Sequence, residues 1–305
     1  MAIKNILIMG GSGILGRNLI DVLYKKNNIY LFDKNINKKN SKKINSISGD
    51  CFKLKDLTKL PKKIDIIFFF IGAKGGPESV NMNSLKKYIR FNFESLVFFL
   101  NFIKNKTVKK IIFSSTEHVY GDNDTSNKKC LDLEPFPKNY YGFSKLLSEK
   151  YLLNFYQKTG ISIDILRIPR VIYFNDDSII SKIIFKLFTN QPINLKKTKA
   201  KFNFIYITDL IQVMKICVLQ KNTKFRILNV FNNTPPIFLS DVAHKIRNLT
   251  GKKNKISLIG NNSIEHNPLS LLISNKFTKH SLNWKPKFSL IKIIKKLITL
   301  YEFKN

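Results

Sequence analysis

Tyr141 and Lys145 bracket the run Tyr141-Gly142-Phe143-Ser144-Lys145. On a helix, residues four apart share one face. A Lys ammonium there favours the tyrosinate and lowers the Tyr pKa toward working pH. Tyr141 is therefore a candidate general acid or base for an alcohol–ketone exchange, and Lys145 could also hold cofactor hydroxyls. Tyr140 is adjacent, but Lys145 sets the register on Tyr141. A second group of hydroxyls lies in Phe113-Ser114-Ser115-Thr116-Glu117-His118-Val119-Tyr120-Gly121, at the end of an apolar strand. Ligands of an open parallel sheet collect at the carboxyl ends of its strands. A hydroxyl there could share a substrate's hydrogen bond with Tyr141. Both features also have plain readings, since YxxxK recurs by chance in a Lys-rich chain and a Ser/Thr-rich strand end can simply cap a loop.

The third chemical feature is Gly10-Gly11-Ser12-Gly13-Ile14-Leu15-Gly16, a GxxGxxG frame between a strand and a helix. Glycines there let the backbone turn tightly and approach a pyrophosphate, which the free N–H groups of the helix N-terminus attract. The last glycine lets helix and strand pack closely. Asp33 ends the next strand, where a carboxylate would bind adenosine ribose hydroxyls. That favours NAD, because a carboxylate repels the 2′-phosphate of NADP. Lys34 and Lys38 soften the preference without reversing it.

The elements that must position these groups follow from hydrophobic period. Strands are expected at 3–9, 29–33, 64–71, 110–115 and 162–167. Helices are expected at 14–26, 85–103 and 141–159, with 34–48 read as a basic loop. Several strands are apolar on both faces, which implies a parallel sheet covered by helices on both sides. Beyond 170 the pattern is less regular: helices at 179–188, 209–219 and 240–249 (Ser240 as N-cap), strands at 204–207 and 227–230, a polar stretch at 251–267, and a last helix from Ser289. The expected fold is α/β, a Rossmann-like doubly wound sheet over 1–170. A smaller α/β C-terminal lobe over 171–305 is expected to pack with it as one unit.

Composition bounds the alternatives. The chain has 305 residues and 44% hydrophobic content, enough for a large core and against wholesale disorder. Its formal net charge of +33 points at face value to nucleic acid or an anionic membrane. However, only six of its 53 basic residues are arginines, the fork-shaped side chain that base and phosphate recognition favours. Dispersed lysines with abundant Asn, Ile and Phe look like an AT-rich coding bias on a solvated surface. Cys51, Cys130 and Cys217 are too scattered for a disulfide framework or a metal site, which fits a reducing cytoplasm. Cys51 reads as a small strand-end residue. His244, His266 and His280 show no metal spacing. The apolar run after Asp65 is too short to cross a bilayer.

Taken together, these motifs resemble the extended short-chain dehydrogenase/reductase family, in particular its NAD-dependent sugar epimerases and dehydratases, over nearly the whole chain. The resemblance implies cofactor contacts from Gly10, Gly13, Ile14, Leu15, Gly16 and Asp33. It implies adenine contacts from Asp50 and Cys51 in the Gly49-Asp50 pair, and places Asn92 on a helix. It sets Thr116 at the catalytic Ser/Thr position beside Tyr141 and Lys145. Leu166-Arg167-Ile168-Pro169 followed by Val171 matches the strand end lining the nicotinamide, which brings in Pro169. Phe204 to Leu210 matches the family's FIYVxDL segment, while Leu228-Asn229-Val230 and Leu282 to Pro286 fit its substrate lobe. Two departures stand out. Relatives acting on nucleotide sugars often carry an Arg where Phe202 stands, with Lys199 and Lys201 nearby. Dehydratases follow the Thr with Asp-Glu, where this chain has Glu117 and His118. Glu117, His118 and Phe202 are candidate substrate-binding residues; Glu117 could be an acid and His118 a base, and the plain readings are a solvated loop carboxylate and a cleft-lining residue.

The resemblance implies a nucleotide-sugar epimerase with tightly held NAD, a nucleotide-sugar substrate and Tyr141 as acid/base. A reductase or 4,6-dehydratase of the same family is the alternative, and a cofactor-binding protein repurposed to bind RNA or a partner is the non-enzyme alternative. Specific nucleic-acid binding and membrane binding are not expected. Relatives pair through two long helices, here about 84–104 and 141–158, so a homodimer is expected. Leu96, Phe99, Leu100 and Ile103 could build that contact or could pack against the sheet.

Overall fold

The structure is a computed structural model describing residues 2–36, 43–104, 106–121, 134–174, 178–197, 201–220, 224–232, 234–260 and 273–304. Lys38, Cys130, Lys199, His266 and the end of the 251–267 stretch lie outside the described residues.

Strands β1 (Asn5–Met9), β2 (Asn28–Asp33), β3 (Ile44–Ser48), β4 (Ile66–Phe69), β5 (Lys110–Thr116) and β6 (Ser162–Ile168) form the first half of the chain's sheet. Then come β7 (Arg170–Ile172), β8 (Ile193–Lys196), β9 (Phe204–Tyr206), β10 (Phe225–Asn229) and β11 (Ile256–Ile259). The helices are α1 (Ile14–Leu23), α2 (Leu54–Leu57), α3 (Leu85–Tyr88), α4 (Ser95–Ile103), α5 (Tyr140–Thr159), α6 (Ile179–Phe188), α7 (Ile207–Leu219), α8 (Leu239–Thr250), α9 (Lys276–Leu282) and α10 (Leu290–Lys304). A π-helical stretch, Ile89–Glu94, joins α3 to α4.

Seven strands in the order β10-β6-β5-β4-β1-β2-β3 make one parallel sheet. Successive strand residues point to opposite faces, and the core divides accordingly. Ile6, Ile8, Phe68, Ile112 and Leu166 join one cluster with α1 and the C-terminal helices. Leu7, Met9, Phe69, Phe113 and Ile165 join the other, with α4 and α5. Helices therefore cover both faces, and all four of Ile6 to Met9 are buried. That is why β1 reads as a continuous apolar run.

Leu96, Phe99, Leu100 and Ile103 are fully buried against Phe69 and Phe113. They are sheet-facing core, so of the two readings open to this stripe the packing against the sheet holds and the dimer contact does not. The region beyond 170 is not a separate layer, because β10 pairs in parallel with β6 and α7 packs on α1. Two small parallel pairs, β7 with β9 and β8 with β11, build the lobe.

Other expectations also shift. The basic loop at 34–48 contains β3, an edge strand that buries Ile44 while its remaining side chains stay partly or fully exposed. Ser240 lies inside the first turn of α8, whose N-cap position is Phe238 with no side-chain cap. Among the described residues, no helix is long and apolar enough to cross a membrane.

Candidate active site

The phosphate-binding turn joins β1 to α1. Gly10 has φ +82°, and its N–H donates to the Phe32 carbonyl at 2.8 Å. A Cβ on Gly16 would lie 2.4 Å from the Gly11 carbonyl oxygen, so the helix can sit this close to the turn only with glycine there. Gly13 is the N-cap of α1 without a side-chain cap, and no acidic residue stands in the first turn. The N-terminal N–H groups at Ile14 and Leu15 are thus left to an outside anion. Asp33 is fixed at this turn, since its Oδ2 accepts the Ser12 N–H at 3.1 Å. Lys34 does not compete for that space: its ammonium pairs with Asp50 Oδ2 at 3.0 Å. A glycine cradle, an uncapped helix end and a fixed carboxylate fit a dinucleotide without a 2′-phosphate.

Asp50 also accepts the Phe52 N–H at 3.0 Å. Burial works to raise its pKa, but that hydrogen bond and Lys34 hold it below the ordinary carboxylate value. Cys51 is buried, which pushes its thiol up to about 11 and leaves it a packing residue rather than a nucleophile.

Tyr141, Lys145 and Thr116 come together where α5 crosses the end of β5. Asn139 N-caps α5 by accepting the Gly142 N–H at 2.8 Å. Tyr141 then lies between Tyr88 and His118, ring centroids 5.8 and 5.5 Å away. Thr116 is hydrogen-bonded to the Tyr141 hydroxyl, and Thr116 Oγ1 accepts the His118 N–H at 3.3 Å. That leaves the Thr116 proton for the tyrosine oxygen.

Lys145 is buried and donates to the Ser114 carbonyl at 2.9 Å. Burial lowers its pKa to about 8, with Glu149 working the other way. Tyr141 itself is pushed above its ordinary value by burial, against the Thr116 hydrogen bond. This differs from the expectation that Lys145 would lower it, because the amine is directed at Ser114 and desolvation of the phenol dominates.

Asn92 sits in the π-helical stretch, a local distortion frequent at functional sites. Its Oδ1 accepts the Ala73 N–H at 2.7 Å and its Nδ2 donates to Ser144 Oγ at 2.9 Å. It thereby ties the loop after β4 to the helix that carries Tyr141 and Lys145. Pro169 is buried between β6 and β7.

Glu117 and Phe202, which stand at the two departures, are both buried. Glu117 is 5% exposed, not a solvated loop carboxylate. It accepts from Asn203 Nδ2 at 3.1 Å and from the Arg170 backbone N–H. Burial raises it to about 7 against these bonds and the Arg170 charge. Phe202 is 8% exposed and bridges Ile237 through two backbone hydrogen bonds of 3.0 and 3.1 Å. Its ring lies 4.9 Å below the Arg170 guanidinium, so the site has a cation at this place after all, carried by β7. Sequence reasoning missed Arg170, Asn203 and Asn139.

An open parallel sheet with a phosphate-binding turn and a Tyr/Lys helix at its carboxyl edge defines a dinucleotide-dependent enzyme fold of the short-chain type. The chain belongs to the NAD dependent epimerase/dehydratase family, whose profile it matches over residues 6–231. It is 29% identical over 284 residues to the dTDP-D-glucose 4,6-dehydratase of Dictyostelium discoideum, covering 81% of this chain but 62% of the relative. It is 27% identical over 316 residues to the dTDP-4-dehydro-6-deoxyglucose reductase of Escherichia coli, covering 97% of this chain and 96% of that one. The UDP-glucuronic acid 4-epimerase of Bacillus cereus, solved with UDP-glucuronic acid and NAD, shares the fold. Its TM-score is 0.84 at 21% identity, over 97% of this chain and 99% of that chain.

Proposed function

We propose that the protein is an NAD-dependent nucleotide-sugar epimerase. The observation that carries this reading is the state of the residues after Thr116. Dehydration of a sugar needs an acid and a base beyond the Tyr141 pair. Here Glu117 faces Asn203 and Arg170, and the Nδ1 lone pair of His118 is taken by Asn139. What remains supports alcohol–ketone exchange in both directions, which is all that epimerisation requires.

Gly10, Gly13, Ile14, Leu15, Gly16 and Asp33 would hold the dinucleotide. When bound, it would supply the reversible hydride acceptor that oxidation and re-reduction of the sugar carbon require. Tyr141 Oη takes the proton of the sugar hydroxyl and later gives it back. Thr116 shares that oxygen's hydrogen bonds. Lys145, mostly ammonium at pH 7 with a pKa of about 8, is anchored on the Ser114 carbonyl and would hold hydroxyls of the bound dinucleotide. Arg170 on its Phe202 platform would grip an anionic group of the nucleotide sugar.

The purified holoenzyme should interconvert two UDP- or dTDP-sugars without added cofactor. Net consumption of NADH or NADPH would indicate a reductase, and a 4-keto sugar formed with loss of water a dehydratase. No turnover on a broad nucleotide-sugar panel would refute the whole reading. Replacing Arg170 by Ala should raise KM for the nucleotide sugar about tenfold with kcat little changed, as expected for one lost charged hydrogen bond. Arg170→Lys should recover only part, because an ammonium lacks the guanidinium fork. An unchanged KM in Arg170→Ala would remove Arg170 from the substrate site.

We also propose that the enzyme acts in the cytoplasm as a homodimer. The free, buried thiols of Cys51 and Cys217 fit the compartment. With the sheet-facing stripe excluded, the solvent side of α4 and α5, where Phe98 and Phe143 are exposed, is the surface left for pairing.

A further inference from the structure

His118 stands beside the reacting tyrosine, and the direction of its hydrogen bonds can be worked out from its neighbours. Asn139 Oδ1 is committed to the Gly142 N–H as the cap of α5. The other end of that amide, Nδ2, lies 2.9 Å from His118 Nδ1. An amide nitrogen only donates, so Nδ1 must be the acceptor and carries no proton. In a neutral imidazole the proton then sits on Nε2. Among the described residues, Nε2 has no hydrogen-bond partner. The ring is seated firmly. The His118 backbone N–H donates to Thr116 Oγ1, and a Cβ on Gly142 would come within 2.3 Å of the His118 carbonyl oxygen, so α5 and this turn touch backbone to backbone.

We infer that His118 is a substrate-contacting residue that donates from Nε2–H to an oxygen of the sugar next to the one handled by Tyr141 and Thr116, with Asn139 fixing the tautomer that makes it a donor. This deepens the epimerase reading and rests on it. It also speaks against the possibility that His118 acts as a base: with Nδ1 occupied and Nε2 protonated, the ring has no lone pair to offer. Burial and the Arg170 charge lower its pKa to about 4, so the ring is neutral through the physiological range. The charged and titratable groups facing it are Arg170, Tyr141 and the neighbouring Glu117.

The chain has only four histidines, so 15N-histidine NMR of the full-length holoenzyme resolves this one, assigned by its loss in His118→Gln. The expected spectrum shows His118 as the neutral Nε2–H tautomer, not titrating between pH 6 and 8. Asn139→Asp keeps the helix cap but sets an acceptor opposite Nδ1. It should move the proton to Nδ1 or produce the imidazolium. A wild-type Nδ1–H tautomer, or titration at an ordinary histidine value, would overturn the tautomer assignment whatever the substrate is.

Kinetics test the contact, using whichever UDP- or dTDP-sugar the panel assay identifies. His118→Phe should lower kcat/KM about tenfold, the cost of one lost hydrogen bond. His118→Gln, whose amide N–H reaches the Nε2 position, should recover most of it, and His118→Asn, which mimics only Nδ1, should not. Wild-type kcat/KM in His118→Phe with a turning-over sugar would sink the contact while leaving the epimerase reading intact. If no sugar turns over, the contact falls with that reading and the spectrum still decides the tautomer.

Discussion

Replacing Tyr141 by Phe should lower kcat for epimerisation by roughly a thousandfold, within the range expected for losing a positioned acid/base. In the proposed reaction the phenol oxygen moves the sugar proton, and no other group among the described residues at the site is placed to take over. Lys145 is turned to the Ser114 carbonyl, and the Thr116 oxygen has no base beside it except Tyr141. The ring itself stays, and with it the packing against Tyr88, His118 and Gly75. Only the Thr116 hydrogen bond is lost, about 1 kcal/mol of stability. The variant should therefore melt close to wild type and retain its dinucleotide. Tyr140→Phe is the register control, because Tyr140 precedes Lys145 by five positions and shares no face with it. The pair is measured by initial rates of sugar interconversion and by thermal melting at equal cofactor concentration. Equal loss in both variants, or near-wild-type turnover in Tyr141→Phe, would remove Tyr141 from the proton path.

What the amino-acid sequence made legible depends on how long each signal is. Helix α6 was read residue for residue, and β1, β2, β5 and α5 within a residue or two, because each carries several turns or pleats of one period. Strands β7, β8 and β11 are three or four residues long, too short to show a period. Strand β3 mixes Asn and Ser with Ile on an edge, so its pairing rather than its composition makes it a strand. The apolar stripe Leu96, Phe99, Leu100 and Ile103 was visible, but a stripe facing its own sheet and one facing a partner look alike. Only Phe69 and Phe113 across the gap decide.

At the site, the motif residues were legible because their chemistry depends on type and spacing. Their charge states were not, since burial sets them: Glu117 near 7 and His118 near 4 follow from what encloses them. Asn139 could have been found as the N-cap residue preceding the Tyr/Lys helix. Arg170 carried a weaker hint, as one of six arginines in a chain whose basic residues are otherwise lysine. The arginine missing at Phe202 therefore reflects a cation carried from a neighbouring strand, not an uncharged site. The +33 charge contributes little to this local arrangement: Lys110 and Lys145 are the only buried lysines among the described residues.

The second large effect lies beneath the site. Glu149 on α5 is buried and accepts from Arg167 Nη2 at 2.6 Å, from Arg167 Nε at 3.1 Å, and from Ser115 Oγ. Arg167 in turn lies 4.7 Å over the Tyr120 ring. Glu149→Leu would leave a buried guanidinium without its partner, which costs about 3–5 kcal/mol. Adding Arg167→Met removes the orphaned charge and should return most of that loss, since a buried ion pair and a well-packed apolar pair differ little in net stability. Denaturant melts at fixed NAD concentration measure both, so that ligand linkage does not enter the difference. A double variant as unstable as the single one would show that packing, not charge pairing, holds this region.

Glu149 also raises the pKa of Lys145 against the lowering by burial. Without Glu149 the Lys145 pKa falls further below its present value of about 8, and the ammonium is lost at a lower pH. Activity that needs the ammonium is present below that pKa and declines as pH rises through it. The alkaline limb of the pH–rate profile should therefore shift to lower pH in both Glu149 variants, including the one whose stability has recovered. A profile unmoved in the double variant would mean that Glu149 holds this part of the sheet without tuning Lys145.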